Sequence, residues 1–354
     1  MAAPLLAGIA ARTVPTDRLT VNVLEAPERS GVPVVFVHGN VSSSLFWQRT
    51  MLALPPGLRP LAVDLRGFGG TEAAPVDATR GLADFSDDVA ATLAALDLEP
   101  AHLVGWSLGG GVVLRLLRDH GERVRTVTLV NPVSPFGFGG TRGVDGALLD
   151  PEGAGSGAGA ANPEFVRRLR EGDRSADEAF SPRTVLNTFY VKPPCTLPDA
   201  DVFVESMLST VTGEDNYPGD TATSQAWPGI APGSRGVLNA LAPTHFRLAD
   251  LHTITPKPPI LWIRGADDQI VSDTSMFDLA YLGSIGAVPG WPGAETCPPQ
   301  PMVAQTRAVL ERYAAEGGAV DEVVLADTGH SPHIERPDEF LATLAGFLTR
   351  VEAA

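Results

Sequence analysis

Cysteine is almost missing from these 354 residues: only Cys195 and Cys297 occur. Two thiols that far apart make neither a metal ligand set nor the disulfide framework of a small secreted domain. Basic residues are also scarce, 26 Lys plus Arg against 42 Asp plus Glu, a formal charge of −16. The average field therefore repels phosphate backbones and anionic lipid surfaces, which argues against nucleic-acid and membrane partners. No apolar run approaches the roughly 18 residues of a membrane span. The N-terminal MAAPLLAGIAAR has an apolar stretch with no basic residue before it, unlike a secretory signal, so a cytoplasmic protein is expected. There is no phosphate loop, nucleotide fingerprint, haem motif or metal cluster, and no cofactor is implied.

What is present suits a folded chain, long enough for one large domain with insertions or for two modest ones. Hydrophobic residues make up 44% and charged residues 19%, enough apolar material for a large core. From Arg12 to Ala26, β-formers surround a Pro-Thr-Asp turn, the pattern of an antiparallel hairpin at a sheet edge. Six short apolar runs follow, at 32–39, 59–67, 101–107, 124–132, 258–265 and 319–330. Nearly continuous apolar runs of that length suit strands covered on both faces, as in a parallel sheet. Helical spacing over 85–98, 108–120, 301–315 and 337–351 alternates with them, so the class is α/β with right-handed crossovers.

One segment breaks the alternation. Residues 133–257 hold no comparable strand and are far too long for a connection, so they read as an inserted lid between core segments 1–132 and 258–354. The lid opens on a stretch with nine glycines, 137–159, which is expected to be mobile because it cannot offset its own ordering entropy. Asn162-Pro163 and Ser181-Pro182 each read as a helix cap followed by proline at the first helical position. A second, smaller insertion rich in Pro and Gly spans 283–301.

Chemistry concentrates at Gly105-Trp106-Ser107-Leu108-Gly109, which fits Gly-x-Ser-x-Gly directly between an apolar strand and a helix. A strand turning sharply into a helix would expose Ser107 above a helix N-terminus, where N–H groups favour developing negative charge. A serine hydroxyl needs a base, and that base needs a third group to orient it. His330, in Asp-Thr-Gly-His-Ser-Pro-His after the last strand, is the expected base. His333 is its competitor but should fall at the start of the final helix. His102, His120, His245 and His252 read as core or surface residues. Asp268, in Gly265-Ala-Asp-Asp-Gln-Ile-Val271, is the expected acid. Adjacent residues at a strand end point in different directions, so Asp267 and Asp268 cannot both reach one imidazole nitrogen.

With these motifs the chain resembles the α/β-hydrolase family over nearly its whole length outside the insertions. The order Ser107, Asp268, His330 is that family's triad order. In the relatives that these motifs resemble, the acid sits three residues after the strand-ending glycine and three before an apolar residue, as Asp268 does and Asp267 does not. His38-Gly39-Asn40 resembles its oxyanion loop, and Asp64-Leu-Arg-Gly-Phe-Gly69 its loop after the fourth strand. The resemblance implies that the N–H groups of Asn40 and Leu108 form the oxyanion hole, such donors being worth roughly 3 kcal/mol each. It also implies that His38 and Asp64 organise loops. Val41 is a departure, since many relatives, among them dehalogenases and epoxide hydrolases, have proline there and use aspartate as nucleophile. Serine in its place points away from alkyl-enzyme chemistry and towards acyl transfer to water.

The expected activity is therefore hydrolysis of a small to mid-sized apolar ester or lactone. Thioesters, carbon–carbon bonds and acyl transfer to other acceptors fit the same triad, and a receptor that has lost catalysis is the alternative outside enzymes. Phe136, Phe138, Phe165, Phe189, Tyr190, Phe203, Met207, Tyr217 and Trp227 are candidates to roof a pocket, although more than half should simply pack the lid.

Overall fold

The computed structural model describes residues 5–353, so the first four residues of the apolar N-terminal stretch lie outside the described residues. Eight strands form one sheet: β1 (Ala10–Pro15), β2 (Thr20–Glu25), β3 (Val32–Val37), β4 (Leu58–Val63), β5 (Ala101–Trp106), β6 (Val124–Val130), β7 (Ile260–Gly265) and β8 (Val320–Leu325). Their spatial order is β1-β2-β4-β3-β5-β6-β7-β8. The hairpin β1–β2 is antiparallel and joins β4 antiparallel through Val23↔Val63. Every later pair is parallel, with Val34↔His102, Gly105↔Leu129, Ile263↔Val130 and Ile263↔Val323 in register. Val34, Val35, Phe36 and Val37 are buried, as are all six residues of β5. A continuous apolar run is therefore what these central positions require.

The last strand departs from the expected two-sided burial. In β8, Asp321, Glu322 and Val324 are exposed and only Leu325 is fully buried. The strand lies at the sheet edge, where one flank has no neighbour and charged side chains are tolerated.

The helices, in chain order, are α1 (Gln48–Ala53), α2 (Ala83–Ala95), α3 (Leu108–Asp119), α4 (Pro163–Glu171), α5 (Pro182–Val185), α6 (Ala200–Leu208), α7 (Val237–Ala240), α8 (Leu279–Ser284), α9 (Met302–Ala315), α10 (Pro332–Glu335) and α11 (Pro337–Glu352). Helix α2 packs on α3, which lies against β3, β5 and β6, while α11 packs on α1 and β7. In α11, Phe340, Leu344, Phe347 and Leu348 are buried at the i, i+4, i+7, i+8 spacing of one helical face. Each such side chain contributes about 1.5–3 kcal/mol when fully buried. Among the described residues no helix is long and apolar enough to cross a membrane.

Between β6 and β7 runs the long irregular segment, carrying α4 to α7 and three two-stranded ladders. The two anticipated caps are present. Asn162 Oδ1 accepts from Glu164 N at 2.9 Å, and Ser181 Oγ accepts from Thr184 N at 3.1 Å. Helix α4 ends at Gly172 in the left-handed conformation.

The glycine-rich stretch is not the loose surface loop that its composition suggests. Two buried glutamines hold it. Gln300 accepts from Gly139 N and donates to Gly137 O, and Gln305 Nε2 donates to Thr141 Oγ1 and Gly143 O at 3.0 Å each. Farther along, Asn239 Oδ1 accepts from Ala158 N, and Ala154, Ser156 and Ala158 are buried. Partners from distant parts of the chain order what local composition could not.

Candidate active site

Ser107 stands between β5 and α3 with φ +56° and ψ −119°, a conformation costly for a non-glycine residue and typical of functional turns. The flanking glycines are explained by contact. A Cβ on Gly109 would lie 2.4 Å from Val37 O, and one on Gly105 would lie 2.3 Å from Gly109 O. The main chain of Ser107 is pinned meanwhile: its N–H donates to Val130 O at 2.9 Å and its carbonyl accepts from Val133 N at 3.0 Å.

Ser107, Asn131, Asp268 and His330 follow the carboxyl ends of four adjacent parallel strands, β5 to β8, and so meet along one sheet edge. His330 Nδ1 donates to Asp268 Oδ2 at 2.8 Å, with both side chains almost wholly buried. A carboxylate only accepts, so Nδ1 carries the proton and Nε2 is left as a base. Asp268 is fully engaged: Oδ1 accepts from the N–H groups of Ile270 and Val271, and Oδ2 also accepts from Asn131 Nδ2 at 2.8 Å. Asp267, by contrast, is half exposed and paired with Lys192 at 2.8 Å.

The third element is the loop after β3. A Cβ on Gly39 would come within 3.0 Å of Ser107 Cβ, so the His-Gly-Asn turn lies directly against the serine. Neither the Asn40 nor the Leu108 N–H has a protein acceptor among the described residues. Leu108 is the first residue of α3, where N–H groups have no partner within the helix. Val41 has φ +45°, an angle that proline, held near −65°, cannot adopt. His38 bonds within the loop to Gly39 O and Ser42, and its Nε2 accepts from Leu65 N at 3.0 Å. Asp64 accepts from Ser44 N, Gly70 N and Asn22 Nδ2 and binds three segments together.

His333 lies in α10, ahead of the final helix, with its ring stacked on Trp47 at 4.2 Å between centroids. Both of its nitrogens are buried without partners, and burial pushes its pKa down to about 3. It therefore faces packed aromatic surface instead of Asp268.

Two residues with a part in this arrangement, Asn131 and Glu335, carry no local sequence signal, and a third, Tyr190, was marked by the sequence only as an aromatic that could roof a pocket. Asn131, with φ +40°, ties Asp268 to Gly329 O and accepts from Gly265 N. Glu335 accepts from the N–H groups of Gly329 and Ser331, on either side of His330, and from that of Lys192. Tyr190 donates its hydroxyl to Asn40 O at 2.8 Å. Of the aromatics proposed as a roof, Phe136, Phe165, Phe203 and Tyr217 are buried packing residues. Phe203 and Tyr190 pack tilted against Phe46, which packs on Trp106. Among the described residues no group of three His, Cys, Asp or Glu side chains is placed to hold a metal ion.

Comparison with known proteins gives the same picture at the level of fold. The chain is 36% identical over 119 residues to 2-hydroxymuconate semialdehyde hydrolase of Pseudomonas sp. (strain CF600), covering 33% of this chain and 41% of that protein. It is 34% identical over 145 residues to haloalkane dehalogenase of Agrobacterium fabrum (strain C58 / ATCC 33970), covering 41% and 44%. The chain thus spans less than half the length of these curated relatives. A crystal structure of a putative aryl esterase from Burkholderia cenocepacia superposes over 98% of this chain and 100% of that one, with TM-score 0.59 and 20% identity, a likeness of fold alone. Residues 32–282 match the family described as alpha/beta hydrolase fold, more than half of the chain, so this protein belongs to the α/β-hydrolase family.

Proposed function

We propose that this chain is a serine hydrolase that cleaves a carboxylic ester or lactone through an acyl-enzyme on Ser107. The observation that carries the reading is the buried His330–Asp268 pair, held with Nε2 free at the sheet edge that presents Ser107. Ser107 Oγ attacks the carbonyl carbon while His330 Nε2 takes its proton, and Asp268 stabilises the imidazolium. The carbonyl oxygen becomes an oxyanion facing the Asn40 and Leu108 N–H groups. Collapse breaks the C–O bond, and the leaving alkoxide takes the proton from His330. Water then repeats the sequence on the acyl-enzyme, releasing the acid and restoring Ser107.

In this reading residues 133–257 act as a lid over a small to mid-sized apolar ester or lactone. Two unpaired cysteines accord with a cytoplasmic location. Carbon–carbon bond hydrolysis on the same triad is the second reading, favoured by the 36% identity to a protein named as a semialdehyde hydrolase.

A fluorophosphonate probe on the purified protein should modify one peptide, the one containing Ser107, and a panel of aryl esters, lactones and thioesters should show turnover that Ser107→Ala abolishes. Folded protein that takes no adduct and turns over no ester sinks the proposal. Turnover confined to carbon–carbon substrates selects the second reading.

A further inference from the structure

Tyr190 closes a five-residue π turn, Leu186–Tyr190, in the segment between β6 and β7, yet its hydroxyl bonds to the loop after β3. It donates to Asn40 O at 2.8 Å and lies 3.2 Å from Val41 O. The ring is packed between Phe46, Trp106 and His330, with centroids 6.3, 5.7 and 6.2 Å away. Burial raises the pKa of the phenol, so the group stays a donor throughout any working range. Two residues on, Lys192 N donates to Glu335 Oε2, the carboxylate that also binds the main chain on both sides of His330. Glu335 thus anchors the strip that carries Tyr190.

The loop it touches needs such a hold. A β-branched residue at φ +45° is a conformational outlier that persists only when its surroundings over-determine it. The two carbonyls within reach of Tyr190 belong to the strained residue and the one before it. Rotation of Val41 towards an ordinary negative φ would swing the neighbouring peptides, the Asn40 N–H among them.

We propose that Tyr190 is a positioning residue for the oxyanion loop: its hydroxyl holds the Asn40–Val41 main chain in the left-handed turn that aims the Asn40 N–H at the reacting oxygen. This rests on the serine-hydrolase reading above. Tyr190 touches no reacting atom in this scheme. It acts through the loop, and its effect is confined to the transition state, where the oxyanion exists.

The test compares wild type, Tyr190→Phe, Val41→Gly and the double variant on one short-chain aryl ester. Loss of a whole oxyanion donor costs about a hundredfold or more, so a loosened one should cost about thirtyfold in kcat with KM within about twofold. The midpoint of the pH–rate profile should not move, because the hydroxyl does not titrate in the range. Glycine removes the steric penalty at position 41, so Tyr190→Phe added to Val41→Gly should cost no more than about threefold, a non-additivity expected of residues acting through one turn. A rise in KM at constant kcat would make Tyr190 a substrate contact, and a displaced pH midpoint would place its effect on His330. Either overturns the proposal, as does full activity in folded Tyr190→Phe. If Tyr190→Phe does not fold, the double variant, in which glycine relieves the turn, is compared with Val41→Gly alone, and a loss of kcat well beyond threefold overturns it. A crystal structure of Tyr190→Phe decides the loop independently of turnover: Val41 relaxing to negative φ supports the hold, and Val41 staying near +45° refutes it. Absence of ester turnover and phosphonate labelling in wild type would instead count against the serine-hydrolase reading.

Discussion

Trp106 donates its indole N–H to the main-chain carbonyl of His330 at 2.8 Å. The residue before the candidate nucleophile therefore holds the loop of the candidate base, across two intervening strands. Both groups are buried, so removing the donor strands an acceptor, at a cost of about 1–3 kcal/mol. Trp106→Phe should lower stability by at least that amount and turnover by about tenfold, because small displacements of a proton-transfer pair are expensive. Denaturant unfolding and kcat on the same preparation check this. Lost stability with unchanged kcat would reduce the indole to packing.

Asp268 and Asp267 are adjacent in sequence and opposite in circumstance. Asp268 accepts four hydrogen bonds, one of them from His330, whereas Asp267 faces Lys192 near solvent. Asp268→Asn should keep the fold and lose about four orders of magnitude in kcat, as expected when the histidine tautomer is no longer enforced. Asp267→Asn should stay within about tenfold of wild type. The reverse pattern in steady-state kinetics would exchange their roles.

The placement of Ser107, Asp268 and His330 along one sheet edge was legible because each follows an apolar run, and the carboxyl ends of parallel strands share an edge. Local pattern suffices for such residues. Asn131 and Glu335 were not legible, and Tyr190 was legible only as a roof aromatic, since each acts on a partner far away in the chain. The central strands were readable from apolar runs, but β8 was not fully so, because edge position is a property of topology. His333 illustrates the same limit: its spacing from the final helix was readable, its stacking on Trp47 was not.

The glycine-rich stretch now carries an expectation opposite to that of a mobile loop. Gln305 accepts from Ser134 Oγ and Gln300 Nε2 and donates to Thr141 and Gly143, so Gln305→Leu would orphan groups on both sides of the stretch. With each buried orphan costing about 1–3 kcal/mol, the loss should amount to several kcal/mol in urea unfolding. A change below about 1 kcal/mol would show that the stretch is only loosely attached.

His333 supplies a pH dependence whose sign follows from its burial. Its pKa is held down to about 3 in the folded chain, against about 6.5 when unfolded. Above pH 6.5 the ring is neutral in both states and contributes no slope. As pH falls from 6.5 towards 3, the unfolded chain binds a proton that the folded chain refuses, so stability falls, by at most about 1.4 kcal/mol per pH unit from this residue. Below the folded value both states are protonated and the slope ends. Carboxylates titrate over part of the same window, so the informative quantity is a difference between two proteins. Phenylalanine keeps a ring on Trp47 and removes two buried nitrogens that have no partner. The stability of His333→Phe relative to wild type, from urea unfolding at successive pH values, should therefore grow steadily as pH falls from 7 to 4. A gap that stays constant with pH would mean that His333 reaches water or a partner when charged. Turnover at neutral pH separates the two histidines further: His333→Phe should retain it and His330→Ala should lose it, since only His330 pairs with Asp268.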